Sequence, residues 1–297
     1  MIAHFEVIEP LKKYLKGRLY SFPLSVKSLP EVVDKEKITA FSITSYTIIT
    51  DKLLDYFPKL RLIVTRSVGM DHINKSACKK RRVVVKNIPD YGAHNIAEHA
   101  LALLLVVARN IIPSFYQVCQ GKFSYKDFMG VGLRGKTLGV IGTGKIGLEL
   151  IKLVKVFGMQ VIAYDVAKNR QTAQEYGFNY VGLEKLLKIA DFISLHVPLL
   201  PETKYLIGEK ELKMMKKGAI LINTSRGAII NTKALIKNIK KFRAVCLDVI
   251  EGEENFTKNN PLLKFNNVII TPHIGFFTDD SIKRIGEETM KIFNSIN

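Results

Sequence analysis

The stretch Thr137–Asp165, TLGVIGTGKIGLELIKLVKVFGMQVIAYD, constrains the chain more than any other. Thr137–Ile141 is an apolar run of strand length, and Gly142-x-Gly144-x-x-Gly147 follows at once. An amphipathic stretch, Ile146–Phe157, runs to Gly158, and a second apolar run, Val161–Tyr164, ends on Asp165. Strand, tight turn, helix, strand and acid in this order make the βαβ unit that cradles a dinucleotide. Gly142 permits the turn, Gly144 lets backbone approach a pyrophosphate, and Gly147 lets the helix pack closely on the strand. The helix N-terminus offers unpaired N–H groups and partial positive charge to phosphates. Asp165 stands where a carboxylate accepts hydrogen bonds from ribose hydroxyls and repels a 2′-phosphate, which points to NAD rather than NADP.

With 297 residues the chain is long enough for two domains. Hydrophobic residues make up 47% and charged residues 24%, a globular balance. No stretch approaches the roughly 20 apolar residues of a membrane span. The opening residues, MIAHFEVIEP, lack the basic and apolar regions of a signal peptide. Cys78, Cys119 and Cys246 form neither a metal-spaced pair nor an even disulfide set, so a reducing cytoplasm and no metal are expected. A formal charge of +18 raises the question of nucleic acid. The lysines, however, are spread over helical faces (Leu11–Lys16, Glu209–Lys217, Lys233–Lys241), and the longest basic run is Lys79-Lys80-Arg81-Arg82. A lysine-rich surface with a mild pull on anionic ligands accounts for the charge, and no nucleic-acid partner is expected.

Residues 1–91 alternate strands (Ala3–Val7, Ile38–Ile43, Leu60–Val64, Val83–Lys86) with helical patterns near Pro10–Lys16, Asp51–Phe57 and Asn74–Lys80. This alternation predicts a smaller α/β domain with a parallel sheet. The loop Thr65–Asp71, TRSVGMD, follows a buried strand and reads either as an anion-binding loop or as an ordinary glycine turn. Asn87–Gly92 is a candidate hinge. Helix Asn95–Arg109 is apolar almost all round, so it needs burial on several sides, between domains or at a dimer interface. His99 and Glu98 on it read as interface polar groups. Residues 110–136, with Pro113 and four glycines, read as an irregular segment packed on something, such as a second subunit.

Beyond Asp165 the βαβ series continues, with helices near Gln171–Tyr176 and Leu183–Lys188. Strands Phe192–Leu195, Ala219–Ile222, Ala244–Asp248 and Val268–Ile270 join Leu138–Ile141 and Val161–Tyr164, six strands for a doubly wound sheet. The tail, Thr278–Ile296, is a helix opened by Thr278, Asp279 and Asp280, with apolar Ile282, Ile285, Ile292, Phe293 and Ile296 to pack back on the first domain.

Ligands of open α/β sheets sit beyond the carboxyl ends of the strands. Four such ends carry His196, Arg226, Glu253 and His273. Arg226 has the planar fork that binds a carboxylate bidentately, and Gly227 beside it leaves room for a ligand. His273 can give or take a proton near neutral pH. A carboxylate such as Glu253 on its other ring nitrogen would orient it and raise its pKa. With a nicotinamide to exchange hydride, these groups suit interconversion of a 2-hydroxy acid and a 2-keto acid. Singly, each also has a plain reading: a surface ion pair, a solvated acidic loop (Glu251, Glu253, Glu254), a turn after Pro272. His196 suits shaping beside the nicotinamide better than catalysis.

The stretches TRSVGMDHIN, NIPDYGAHNIAEHALALLL, LGVIGTGKIG, LHVPLLPETKYLI, LINTSRGAII, CLDVIEGEE and VIITPHIGFFTDDS together closely resemble the D-isomer-specific 2-hydroxyacid dehydrogenases, from about Leu60 to Ile285. The resemblance implies an NAD-linked homodimer acting on a small 2-keto or 2-hydroxy acid. It implies two doubly wound parallel-sheet domains: a flavodoxin-like substrate domain of residues 1–91 and 276–297, and a Rossmann domain of residues 92–275. It puts the catalytic groups at Arg226, Glu253 and His273, and substrate contacts at Val68 and Gly69. Cofactor contacts are expected at Gly142, Gly144, Lys145, Ile146, Gly147, Asp165, His196, Val197, Pro198, Thr203, Thr224, Ser225, Asp248 and Gly275. Tyr91 and Phe276-Phe277-Thr278 resemble the D-lactate dehydrogenase branch, where an aromatic wall favours the methyl of pyruvate. Glyoxylate/hydroxypyruvate reductase is the alternative within the family, and an NAD-sensing corepressor-like protein the alternative outside it; the three catalytic residue types favour an enzyme. Three departures stand out: Glu253-Glu254 replaces the usual Glu-Pro with Glu251 close by, the loop up to Pro261 differs, and the sequence ends sooner than most members, which means either a thin cover on the first domain or a sequence that is not the whole chain.

Overall fold

The computed structural model describes residues 1–295; Ile296, expected on the apolar face of the last helix, lies outside the described residues. The chain forms two compact units, residues Met1–Gly92 joined by the chain from Phe277 onward, and Ala93–Phe276. Phe276 thus falls in the second unit.

The first unit runs β1 (Ile2–His4), α1 (Glu9–Lys12), β2 (Arg18–Leu19), β3 (Ala40–Ile43), α2 (Asp51–Leu54), β4 (Leu62–Thr65), α3 (Lys75–Lys80) and β5 (Val84–Asn87). Its five strands are all parallel, in the order β2-β1-β3-β4-β5, the flavodoxin-like arrangement. β3 and β4 are buried at every residue, which is why they read as unbroken apolar runs. Phe5, Phe41, Ile43, Leu53, Phe57 and Ile63 fill the core. β2 has only two residues, held by pairing with β1, and carries no pattern by which the sequence could mark it.

The second unit opens with α4 (Ala93–Ala108) and α5 (Ile111–Cys119). α5 corrects the irregular reading over residues 111–119, while residues 120–136 hold no helix or strand. Pro113 sits in its first turn, where an absent N–H breaks no helical hydrogen bond. Next come β6 (Thr137–Ile141), α6 (Lys145–Val156), β7 (Gln160–Tyr164), α7 (Arg170–Tyr176), β8 (Asn179–Tyr180), α8 (Leu183–Ile189) and β9 (Phe192–Leu195). α9 (Glu209–Met214), β10 (Ile220–Asn223), α10 (Thr232–Asn238), β11 (Ala244–Leu247) and β12 (Val268–Ile270) complete it. The strands, again all parallel, lie in the order β12-β11-β10-β9-β6-β7-β8. The sheet has seven strands rather than the six expected, because two-residue β8 pairs with β7 at the edge. α4 buries Ala97, Ala100, Leu103, Leu104 and Val107 in the core formed with α6 and the sheet. Among the described residues no single helix is long and apolar enough to cross a membrane.

α11 (Asp279–Asn294) returns to the first unit, where it packs on α1. Thr278 caps it by accepting from Ser281 N–H at 3.3 Å, and Asp279 and Asp280 face the positive end of its dipole. Ile282, Ile285 and Phe293 form its buried stripe.

Candidate active site at the carboxyl edge of the second sheet

The strand order lays the candidate residues in one row. From β7 to β12 the strand ends carry Asp165, the Gly142–Gly147 loop, His196, Thr224 to Arg226, Asp248 to Glu253, and His273. Five strand steps separate the ends of this row, about 24 Å at the usual spacing. The sheet reverses its winding between β6 and β9, so a crevice opens there beyond the strand ends.

At the reversal the backbone is crowded. Gly142 has φ +96°, and a Cβ on it would lie 2.5 Å from the His196 carbonyl oxygen; one on Gly147 would lie 2.1 Å from the Gly142 carbonyl oxygen. A Cβ on Gly144, by contrast, would meet nothing within 4 Å, and Gly144 caps α6 with extended backbone. Open space thus lies beside Gly144 at the start of α6, where a helix N-terminus suits an anion. Asp165 accepts from Thr143 N–H at 2.6 Å, Thr143 Oγ1 at 3.0 Å and Ala167 N–H at 2.9 Å. Burial pushes its pKa up, but the bonds from Thr143 and Ala167 outweigh that and hold it below the usual carboxylate range. Thr224 Oγ1 is buried without a hydrogen-bond partner at the end of β10. An open helix start, an ionised acid and an orphaned hydroxyl along one edge fit a dinucleotide.

Other cofactor candidates shape their own loops. Thr203 Oγ1 accepts from Leu200 N–H at 2.8 Å and donates to the Pro198 carbonyl, which fixes the turn after Val197. His196 Nε2 pairs with Ser194 Oγ at 2.8 Å, and burial lowers its pKa to about 4, so the ring is neutral at physiological pH. A neutral, paired imidazole suits a shaping role. Ser225 donates from both N–H and Oγ to Asn223 Oδ1, and Asn223 Nδ2 donates back to the Arg226 carbonyl at 2.9 Å.

Arg226 is half-buried, with Nη1 on the Ser225 carbonyl at 2.8 Å. A Cβ on Gly227 would lie 2.0 Å from the Ile250 carbonyl carbon, so the loop after β10 abuts the loop after β11. The resemblance put the carboxylate at Glu253, with Glu251 close by. Glu253 Oε1 lies 2.7 Å from His273 Nδ1. Glu251 is taken up elsewhere, accepting from Tyr205 Oη and, at 3.4 Å, from Thr232 N–H. His273 has φ +56°, a left-handed conformation uncommon for a non-glycine residue. It is held there by its N–H on the Asp248 carbonyl at 2.9 Å. The Asp248 side chain grips the rest of that loop, accepting from Ile274 N–H and Gly275 N–H, each at 2.9 Å, and from Thr271 Oγ1. His99 Nε2 lies 3.2 Å from Asp248 Oδ1. Burial raises the Asp248 pKa, but these donors, His99 first, bring it below its ordinary value.

Sequence reasoning did not assign roles to Tyr205, Thr271 or Tyr180, and set His99 at an interface. The contacts of His99 lie within this unit, with Thr271 172 residues away in sequence, so no local pattern could reveal them. Phe276 stands edge-on to His273, ring centroids 6.3 Å apart.

Val68, Gly69 and Tyr91 belong to the first unit, beyond β4 and β5. There Ser67 Oγ pairs with Thr65 Oγ1 at 2.7 Å and donates to the Gly69 carbonyl at 2.7 Å, while Asn87 Nδ2 donates to the Val68 carbonyl at 2.7 Å. With its carbonyls occupied, the loop is a shaped turn rather than a slack one. Tyr91 is buried, and its carbonyl accepts from Ser281 Oγ at 3.2 Å.

Comparison with known proteins gives this arrangement a lineage. The family profile described as D-isomer specific 2-hydroxyacid dehydrogenase, NAD binding domain, matches residues 101–275. The chain is 41% identical to a glyoxylate reductase of Thermococcus litoralis, over 96% of this chain and 88% of that one. It is 37% identical to a hydroxypyruvate reductase of Thermotoga maritima, over 91% and 87%. Among solved structures, a D-lactate dehydrogenase of Aquifex aeolicus complexed with NAD and lactic acid superposes with TM-score 0.90 at 36% identity, covering 100% of this chain and 95% of that one. Two all-parallel sheets of these orders, a glycine loop closed by an acid, and relatives matched over nearly their whole length make the chain a member of the NAD-dependent D-isomer-specific 2-hydroxyacid dehydrogenase family.

Proposed function

We propose that the chain reduces a small 2-keto acid, with pyruvate preferred, and that Arg226, Glu253 and His273 carry the reaction. The observation behind the substrate preference is Phe276, whose ring stands edge-on to His273 and gives an apolar wall suited to a methyl group. In this reading Arg226 binds the substrate carboxylate with its planar fork. Glu253 holds the proton of His273 on Nδ1 and so fixes the tautomer that exchanges a proton through Nε2. His273 then protonates the carbonyl oxygen, or takes the proton back in the reverse direction, a contribution of roughly 10²–10⁴-fold in rate. NAD, when bound along the row from Asp165 to Thr224, supplies or accepts the hydride. In this reading the first unit, which carries Val68, Gly69 and Tyr91, is the substrate domain, and the second is the cofactor domain.

A second reading, glyoxylate or hydroxypyruvate reduction, draws on the names of the relatives from Thermococcus litoralis and Thermotoga maritima. The test is NADH absorbance with pyruvate, glyoxylate, hydroxypyruvate and 2-ketoisocaproate. Highest kcat/KM on pyruvate is expected. Highest kcat/KM on glyoxylate or hydroxypyruvate replaces the first reading by the second, and no turnover on any of them removes the enzymatic reading in favour of an NAD-sensing protein.

The reading extends to a homodimer working in the cytoplasm. Supporting the dimer, Phe115, Tyr116, Phe123, Tyr125 and Met129 lie 62% to 96% exposed along and after α5, more apolar surface than a monomer ordinarily leaves in water. Sedimentation equilibrium should return twice the chain mass, and Phe123→Asp with Tyr125→Asp should halve it; a monomeric parent chain removes the proposal. The free thiols Cys78, Cys119 and Cys246 are in keeping with a reducing compartment.

A further inference from the structure

Asp165 is more heavily engaged than a bare ribose acceptor needs to be. An ionised carboxylate accepts about four hydrogen bonds. Thr143 N–H and Thr143 Oγ1 occupy Oδ2, and Ala167 N–H occupies one place on Oδ1. The Thr143 hydroxyl has a second neighbour, Tyr180 Oη, at 2.8 Å. The direction of each bond follows from what each group can do. A carboxylate only accepts, so the Thr143 hydroxyl gives its proton to Asp165. Tyr180 must then be the donor to Thr143, and its own oxygen accepts from Asn169 N–H at 3.3 Å. A one-way chain results, from Asn169 N–H through Tyr180 and Thr143 to Asp165.

We propose that Tyr180 is a positioning residue for cofactor choice, locking Thr143 and through it Asp165 in the orientation that receives a ribose diol and turns away a 2′-phosphate. Tyr180 is well placed for this. It lies on β8 at the sheet edge, and its ring is braced edge-on by Phe178 with centroids 5.2 Å apart. It ties together the glycine loop after β6 and the loop after β7, the two segments that meet the adenosine half of a dinucleotide in this fold. The second loop also carries exposed Lys168 and leads into exposed Arg170 at the start of α7, cations that would welcome a 2′-phosphate if this segment could move toward it. Fixing Asn169 N–H therefore holds the acid in place and restrains the cations at once. Without the Tyr180 hydroxyl, Asn169 N–H loses its acceptor, Thr143 loses its donor, and Asp165 gains freedom to turn.

The inference rests on the reading of Asp165 as the ribose acceptor, and the experiment separates the two. The ratio of kcat/KM with NADH to that with NADPH is measured at saturating 2-keto acid, together with the melting temperature. Tyr180→Phe, which keeps the ring, should lower that ratio by about 3- to 10-fold, the worth of one hydrogen bond, through KM for the cofactor. Thr143→Val should lower it likewise, and Thr143→Ser, which restores the hydroxyl, should recover it. The inference is overturned if Tyr180→Phe and Thr143→Val leave the ratio unchanged while Asp165→Asn lowers it. It is also overturned if Tyr180→Phe weakens NADH and NADPH equally with a fallen melting temperature, the mark of a purely structural tyrosine. An Asp165→Asn ratio that does not move removes the ribose reading itself.

Discussion

Arg66 and Arg226 each stand just beyond the carboxyl end of an interior parallel strand, beside a serine and within three residues of a glycine. Their surroundings differ completely. Arg66 is 3% exposed. Nη1 donates to Ser42 Oγ, and Nη2 to the Phe5 carbonyl and, at 3.1 Å, to the Glu6 carbonyl. Burial pulls its pKa down to about 10, with Glu6 opposing, so it stays charged in the interior. Arg226 is half-buried at the carboxyl edge of the other sheet, where Nη1 donates to the Ser225 carbonyl of its own loop. A guanidinium shut away from water has to be bonded by its own fold. One at a half-exposed strand end stands where, in the proposed reading, a planar fork meets a substrate carboxylate. The same residue type at equivalent places thus serves architecture in one unit and, in the proposed reading, chemistry in the other.

That contrast can be broken by four measurements. The largest effect belongs to Arg226→Gln, which should cut kcat/KM for the 2-keto acid by roughly 10³-fold through loss of a bidentate charged contact, with a raised KM and little change in melting. An unchanged KM would remove Arg226 as the carboxylate clamp. Arg66→Met should do the reverse, costing about 3 kcal/mol or more in stability because Glu6 loses its countercharge and Ser42 loses one of its two partners. Urea unfolding reads this out, and a variant as stable as the parent would end the distinction drawn between the two arginines.

Third, His4 shares Ser42 with Arg66, its Nδ1 2.8 Å from Ser42 Oγ. Burial lowers its pKa to about 4, with Arg66 adding repulsion against the Lys16 carbonyl that favours the proton. The folded-state value lies below the unfolded 6.5, so the unfolded chain takes up the proton first as pH falls. Stability is whole above about pH 6.5 and drains toward pH 4, by about 2 kcal/mol at pH 5. Melting curves at pH 8 and pH 5 should show this loss in the parent and less of it in His4→Gln; equal losses would acquit the histidine. The smallest effect is expected for Phe276→Ser, about a tenfold shift in kcat/KM from pyruvate toward hydroxypyruvate, the order of one apolar group in a pocket. An unmoved ratio would clear Phe276 of any part in substrate choice.

Sequence made the second sheet readable because β9, β10 and β11 are buried throughout and announce themselves as continuous apolar runs. β8 escaped notice since two residues carry no periodicity; its place comes from pairing with β7. α5 was hidden by a proline that is harmless in a first turn. At the site, residue types at strand ends were legible, but local pattern alone could not say which of two neighbouring glutamates meets His273. Glu251 and Glu253 are the same side chain two positions apart, and only Tyr205 and Thr232 on one side and His273 on the other tell them apart. Arg66 illustrates the converse limit: its burial is decided by Ser42 and Phe5, which no local pattern around TRSVG could report.

The contact of Gly227 with Ile250 has a mechanical consequence. With no room for even a methyl group between them, the arginine loop and the glutamate loop cannot slide past one another. The histidine loop is bolted to Asp248, at the base of that same glutamate loop. Thermal agitation can therefore lift or tilt the three loops only as one body. Relaxation measurements should find all three loops in a single exchange process.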